Sequence, residues 1–222
     1  MLQVALVPVS VWVAALAFWG LSLWRAPRPL LRWFVIDRAL RYIFIFPLGL
    51  LSLWAFLGHV FFPAEAAAEI GWQPSPFQFE VGYANLGIGL ASLYAAFTTF
   101  YARVAVAIAA SCFLVGSGIG HVHDIIAYGN LTPGNAGPIL IADFLTPVMV
   151  LLLLIASARR TRRLATAVDS DAAQNAIGAE PAPEKYAANS RSADSRALDA
   201  EIEAARDAMR SYREALDRFV KS

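Results

Sequence analysis

The placement of arginine constrains this chain more than any other feature. Arg25, Arg28, Arg32, Arg38 and Arg41 come early, no Lys or Arg follows until Arg103, and none again until Arg159. The gaps hold apolar runs of roughly 20 residues, the length a hydrocarbon core demands. Five such runs, 4–24, 42–62, 79–100, 104–127 and 139–158, are the expected helices. Lipid offers no water to satisfy backbone N–H and C=O groups, so only helices and closed barrels span it, and runs this continuous are not barrel strands. The expected fold class is all-α, a polytopic transmembrane bundle of five helices occupying 1–163.

The same cations give an orientation. The connection after the first helix carries five Arg against Asp37, the tight turn expected near Arg103 carries one, and Arg159, Arg160, Arg162 and Arg163 follow the last helix. The positive-inside rule puts these three in the cytoplasm. Connections 63–78 and 128–138 contain no Lys or Arg and fall outside with the N-terminus. The expected topology is N-terminus outside, C-terminus inside, in a multi-pass inner-membrane protein. The first run is too long for a signal h-region and lacks a basic n-region, so it is read as a retained anchor.

Composition agrees. Apolar residues make up 58% and charged ones 16%, against about 25% charged in soluble domains, which makes the lipid bilayer the expected partner. A net charge of +1, segregated by topology, leaves no nucleic-acid footprint. Cys112 is the single cysteine, so neither an intramolecular disulfide nor a cysteine-based metal cluster can form.

Beyond Arg163 the character changes. Residues 164–190 are rich in Ala, Ser, Asp and Pro and read as a flexible cytoplasmic linker. In 191–222, Leu198, Ile202, Ala205, Met209, Tyr212, Leu216 and Phe219 recur at alternating steps of four and three, the stripe of an amphipathic or coiled-coil helix. Two roles fit that stripe: self-association or partner docking, and a passive tail lying on the membrane or the bundle.

Ionisable residues at the edge of hydrocarbon are costly unless paired or facing a cavity. On the expected topology His59, Glu80, His121, Asp124 and Asp143 gather at the outer helix ends and form the candidate ligand or proton site. His121 and Asp124 are three apart and share a helix face, so the carboxylate is placed to orient the imidazole. His123 points elsewhere unless the helix ends there. A metal site from His59, His121 and Glu80 or Asp143 suits the donor chemistry of zinc, iron or copper, and haem is a further reading, but no Glu-x-x-His or His-Glu-x-x-His signature supports either. A short duplication ties the set together. Gly58-His59-Val60 recurs as Gly120-His121-Val122, with Glu80 and Asp143 following at similar distances, as in membrane folds built from parallel repeats. Gly82, Gly87, Gly89, Gly116 and Gly120 are expected to allow close helix packing. The two outer connections either cover a cavity or simply join helices.

Gly58-His59, Ile70-Gly71-Trp72, Ser75-Pro76-Phe77-Gln78, Glu80-Val81-Gly82, Ala84-Asn85-Leu86, Gly120-His121 and Pro133-Gly134-Asn135-Ala136-Gly137 stand in this order. That combination, over about residues 38–155, resembles an uncharacterised family of bacterial integral membrane proteins. The resemblance implies a bacterial inner-membrane setting and supplies no catalytic residue. No nucleophile–base spacing, phosphate loop or cofactor fingerprint identifies an enzyme or a cofactor. Two functions stand: an outward-facing pocket for a small ligand or proton, and a non-enzymatic membrane subunit or scaffold, as a homo-oligomer or within a larger membrane complex.

Overall fold

The computed structural model describes residues 2–176, except Pro27 and Pro29, together with Ala200 and Glu203. The heptad stripe from Leu198 to Phe219, including Ile202, Met209, Tyr212 and Leu216, lies outside the described residues. The chain divides into two units, Met1–Ala158 and Arg159–Ser222.

Every described element is helical: α1 (Leu2–Trp24), α2 (Arg32–Ile43), a π-helical segment (Phe44–Leu50), α3 (Leu51–Phe61), α4 (Pro63–Ile70), α5 (Phe77–Ala95), α6 (Phe100–Tyr128), α7 (Pro133–Ala136) and α8 (Pro138–Ala176). Four stretches are long and apolar enough to cross a membrane: Leu6–Trp24, Arg32–Phe61, Phe100–Tyr128 and Pro133–Ala158. Helix α5 has 19 residues and is not among them, because Gln78, Glu80, Asn85 and three glycines dilute its apolar content.

The helices depart from expectation at their ends and within one span. The second helix starts ten residues earlier, at Arg32 rather than residue 42. Its polar side chains lie along neighbouring rings, with the Arg38 guanidinium 4.9 Å from the Phe34 ring centre and that of Arg41 5.5 Å from Phe97, which keeps the cations near the interface while their stems stay apolar. Within this span Pro47 supplies no N–H, and the helix passes through a π turn, the Leu51 N–H bonding to the Phe46 carbonyl. Finally, residues 164–176, expected as linker, are helical. They are rich in alanine and contain neither Gly nor Pro, a sequence that continues a helix readily.

The core lies around the π segment, where Leu40, Phe44, Leu48, Ala107, Ala110 and Val150 are almost wholly buried. Helix α3 packs most extensively on α5, and glycine makes this approach close: a Cβ at Gly89 would lie 2.9 Å from Leu53 Cδ2 and 3.1 Å from the Gly49 carbonyl oxygen. Outward-facing residues such as Leu152, Val148 and Ile108 are exposed, as lipid-facing side chains are.

One end of the bundle is closed by Arg103. The turn expected there falls instead at residues 96–99, where the Thr99 hydroxyl caps α6, and Arg103 lies one turn inside that helix. Its side chain, 7% exposed, reaches back to the end of α5. Nε donates to the Ala95 carbonyl at 3.1 Å, Nη2 to that of Ala96 at 3.0 Å, and Nη1 to Asp37 Oδ1 on α2 at 2.7 Å. One guanidinium thus donates to two carbonyls at the end of α5, of which that of Ala95 also accepts from the Thr98 N–H at 3.3 Å, and joins three helices.

The opposite end is built by the two short helices. Pro63 and Pro133 stand in the first turns of α4 and α7, where a missing N–H costs nothing. Gly71, at φ 82°, ends α4 in the left-handed region that favours glycine. Asn130 Nδ2 and Thr132 Oγ1 both donate to the Ile70 carbonyl, at 2.8 and 2.7 Å. These bonds tie the two connections into one layer, and that layer lines a cavity.

Candidate functional site

The cavity has a volume of about 720 Å³, within the range of about 300–1,000 Å³ typical of small-ligand pockets. Residues from α1, the π segment and α3 to α8 line it, from Pro8 to Thr146. His59, His121 and Asp143 all face it, so the two Gly-His segments contribute to a single space.

His121 is fixed with unusual definition. Its Nδ1 lies 2.7 Å from Asn135 Oδ1, while Asn135 Nδ2 donates to the Asn130 carbonyl at 2.9 Å and to the His121 carbonyl at 3.2 Å. Those two bonds orient the fully buried Asn135 amide. Its oxygen must then face the ring, so Nδ1 carries the proton and donates. The other nitrogen, Nε2, lies 3.7 Å from Asp143 Oδ2. Asp143 is 3% exposed, and among the described residues that oxygen receives no hydrogen bond. In the neutral ring Nε2 is an acceptor, so two acceptors face each other and what the pair lacks is a donor: a proton on one of them, or a donor group from a ligand.

His59 repeats the arrangement. Its Nδ1 donates to the carboxamide oxygen of Gln78, at the start of α5, which leaves Nε2 as its remaining hydrogen-bonding atom. Two hairpins therefore each hold a histidine by Nδ1 through a side-chain amide.

The other expected site residues are placed differently. Glu80 is exposed and does not line the cavity. Two residues along a helix turn a side chain to nearly the opposite face, so Gln78 points in where Glu80 points out. Asp124 does not touch His121; it accepts from Trp72 Nε1 at 2.5 Å and Asn130 Nδ2 at 3.4 Å. It acts on the histidine through the indole, which stacks over the His121 ring with centres 6.0 Å apart and planes at 22°. His123 is exposed beside Tyr128, because α6 continues to Tyr128 instead of ending at the histidines. No His-x-His chelate forms. Among the described residues no three His, Cys, Asp or Glu side chains come together in a way that would hold a metal ion.

Two of the glycines expected at helix contacts, Gly116 and Gly120, face the cavity instead. Gly58, Gly116 and Gly120 line the cavity, and a Cβ at any of them would meet nothing within 4 Å. They create room beside each histidine, whereas Gly118, on the far side of α6, packs against Phe144. Gln78, Asn135, Trp72 and Glu69 are cavity or partner residues that charge and spacing did not single out. Gln78 and Asn135 sit within the two proline-containing motifs, and an uncharged amide at the mouth of an apolar helix was the signal available.

The model of a family of unknown function, DUF6790, matches residues 5–163. The chain belongs to that family. Every cavity-lining residue falls inside the DUF6790 segment, and 164–222 lies beyond it. No curated protein and no solved structure matches the chain.

Proposed function

We propose that this DUF6790 protein is a bacterial inner-membrane protein with its N-terminus outside, and that it binds a small ligand or a proton in an outward-facing pocket between His59, His121 and Asp143. The topology rests on the arginine distribution and on α5 completing a fifth crossing. On that orientation the layer of α4 and α7 faces outward and Arg103 faces the cytoplasm. The observation that carries the reading is the shared cavity, with two histidines held by carboxamides at Nδ1 and a buried carboxylate oxygen left without a donor. Polar groups in an apolar wall are costly unless something completes them. Selection for stability alone would fill such a space with apolar side chains.

Gly120→Leu fills the cavity without meeting the packed side of α6. Native mass spectrometry of the protein purified in mild detergent, followed by extraction of small molecules, is expected to show bound species in the wild type that Gly120→Leu loses. Identical spectra from two folded proteins would contradict a ligand pocket. Sidedness is checked separately by labelling single cysteines introduced at positions 66 and 99, with Cys112→Ser removing the native thiol, from one face of intact cells.

A further inference from the structure

The chemistry of the cavity wall narrows the class of ligand. Among the described residues, no lining side chain is Lys or Arg, while Glu65, Glu69 and Asp143 bring carboxylates. A carboxylate or phosphate ligand would therefore enter a low-dielectric space lined with like charge and with no cation to pair it. Asp143 Oδ2 and His121 Nε2, 3.7 Å apart, are both acceptors when the ring is neutral, because the ring's one N–H is at Nδ1 and donates to Asn135 Oδ1. His59 presents Nε2 in the same way. The complement to these atoms is a group with several hydrogen-bond donors and no acceptor, which describes an ammonium. The remaining wall supplies a second half to the recognition. Trp54, Phe62, Trp72 and Phe113 line the cavity, and aromatic faces attract cations most strongly where water is excluded. Gly58 and Gly120 leave space beside both rings for an apolar body.

We infer that the cavity takes a lipophilic organic cation, a protonated amine on an apolar or aromatic body, with the ammonium donating to Asp143 and His121. The inference rests on the ligand-pocket reading above and specifies the occupant of that pocket.

Three probes with one body separate the classes: 3-phenylpropylammonium, 3-phenylpropan-1-ol and 3-phenylpropanoate, titrated at neutral pH into the full chain in mild detergent by isothermal calorimetry. The amine is expected to bind at least about tenfold more tightly than the alcohol, equivalent to about 1.4 kcal/mol, with no binding of the carboxylate. Asp143→Asn should reduce the amine's advantage over the alcohol to within about threefold, while Gly120→Leu should abolish binding of both. Circular dichroism and size-exclusion chromatography establish that each variant is folded, and the wild-type ranking decides the outcome even where a variant is not. Equal or tighter binding of the alcohol or the carboxylate overturns the cation assignment and leaves the pocket reading standing. Amine binding that survives Gly120→Leu marks partition into detergent or surface and also overturns the assignment. If none of the three binds, the cation assignment falls, and the pocket reading is decided by the mass spectra of wild type and Gly120→Leu.

Discussion

The two ends of the bundle bury polar side chains to opposite effect. Arg103 and His121 stand on the same helix, α6, 18 positions apart (121 − 103), or about 27 Å along its axis. At the Arg103 end the nitrogens of that guanidinium find acceptors, two helix-end carbonyls and Asp37, although Nε of neighbouring Arg38 and Arg41 has none among the described residues. At the His121 end a carboxylate oxygen and an imidazole nitrogen face each other across 3.7 Å as acceptors beside an open cavity. A polar cluster completed by its own fold stabilises that fold, whereas one left incomplete reserves its hydrogen bonds for something else. The contrast is the reason for placing the proposed ligand site at the His121 end, where composition alone shows charged residues at both ends.

The sharpest way to break this comparison is Arg103→Met. It removes three charge-assisted hydrogen bonds, strands the Ala96 carbonyl and leaves the partly exposed Asp37 with only the 3.8 Å ion pair to Arg41. A loss of about 3 kcal/mol is expected, read by reversible denaturation in a bilayer-like detergent. A neutral result would remove the distinction between the ends. Asn135→Ala comes next. It deletes the donor to two backbone carbonyls and the acceptor that fixes His121, at a cost of about 2 kcal/mol, and it should also free the His121 ring to change tautomer.

The third variant reverses the sign. Asp143→Asn is expected to stabilise the ligand-free protein by about 1 kcal/mol, since an amide N–H can donate to His121 Nε2 where the carboxylate oxygen cannot. Loss of stability there would mean that Asp143 is already paired as a structural ion, and the ends would then be alike. The smallest effect sharpens the role of glycine. Gly120→Ala should gain about 0.5 kcal/mol, from helix propensity with no clash, while Gly118→Ala, whose Cβ would meet the Phe144 ring at 2.8 Å, should destabilise. Both signs are measurable in one denaturation series.

The four helices long and apolar enough to cross a membrane were legible in the sequence because length and an all-apolar surface are local properties that a window of residues reveals. The gathering of His59, His121 and Asp143 was legible for a related reason, since alternating helices return the same end to the same side. What decided their chemistry was not local. Choosing Gln78 over Glu80 requires the rotation of α5 against α3, and assigning Asp124 to Trp72 requires α6 to run on past the histidines. The guanidinium of Arg103 looked like a topological marker because two of its acceptors are backbone carbonyls, which no side-chain pattern records, and the third, Asp37, is 66 positions away. Gly120 looked like a packing residue because small side chains serve packing and cavities equally, and only the neighbours distinguish the two.

The central claim concerns the protons on two rings, and nitrogen-15 NMR of histidine-labelled protein reads them directly. His59 and His121 are expected to carry a proton on Nδ1, coupled to their carboxamide acceptors, with Nε2 as the nitrogen whose signal moves when 3-phenylpropylammonium is added. A bare Nδ1 with the proton on Nε2 in either ring, or signals indifferent to the amine, would contradict the account.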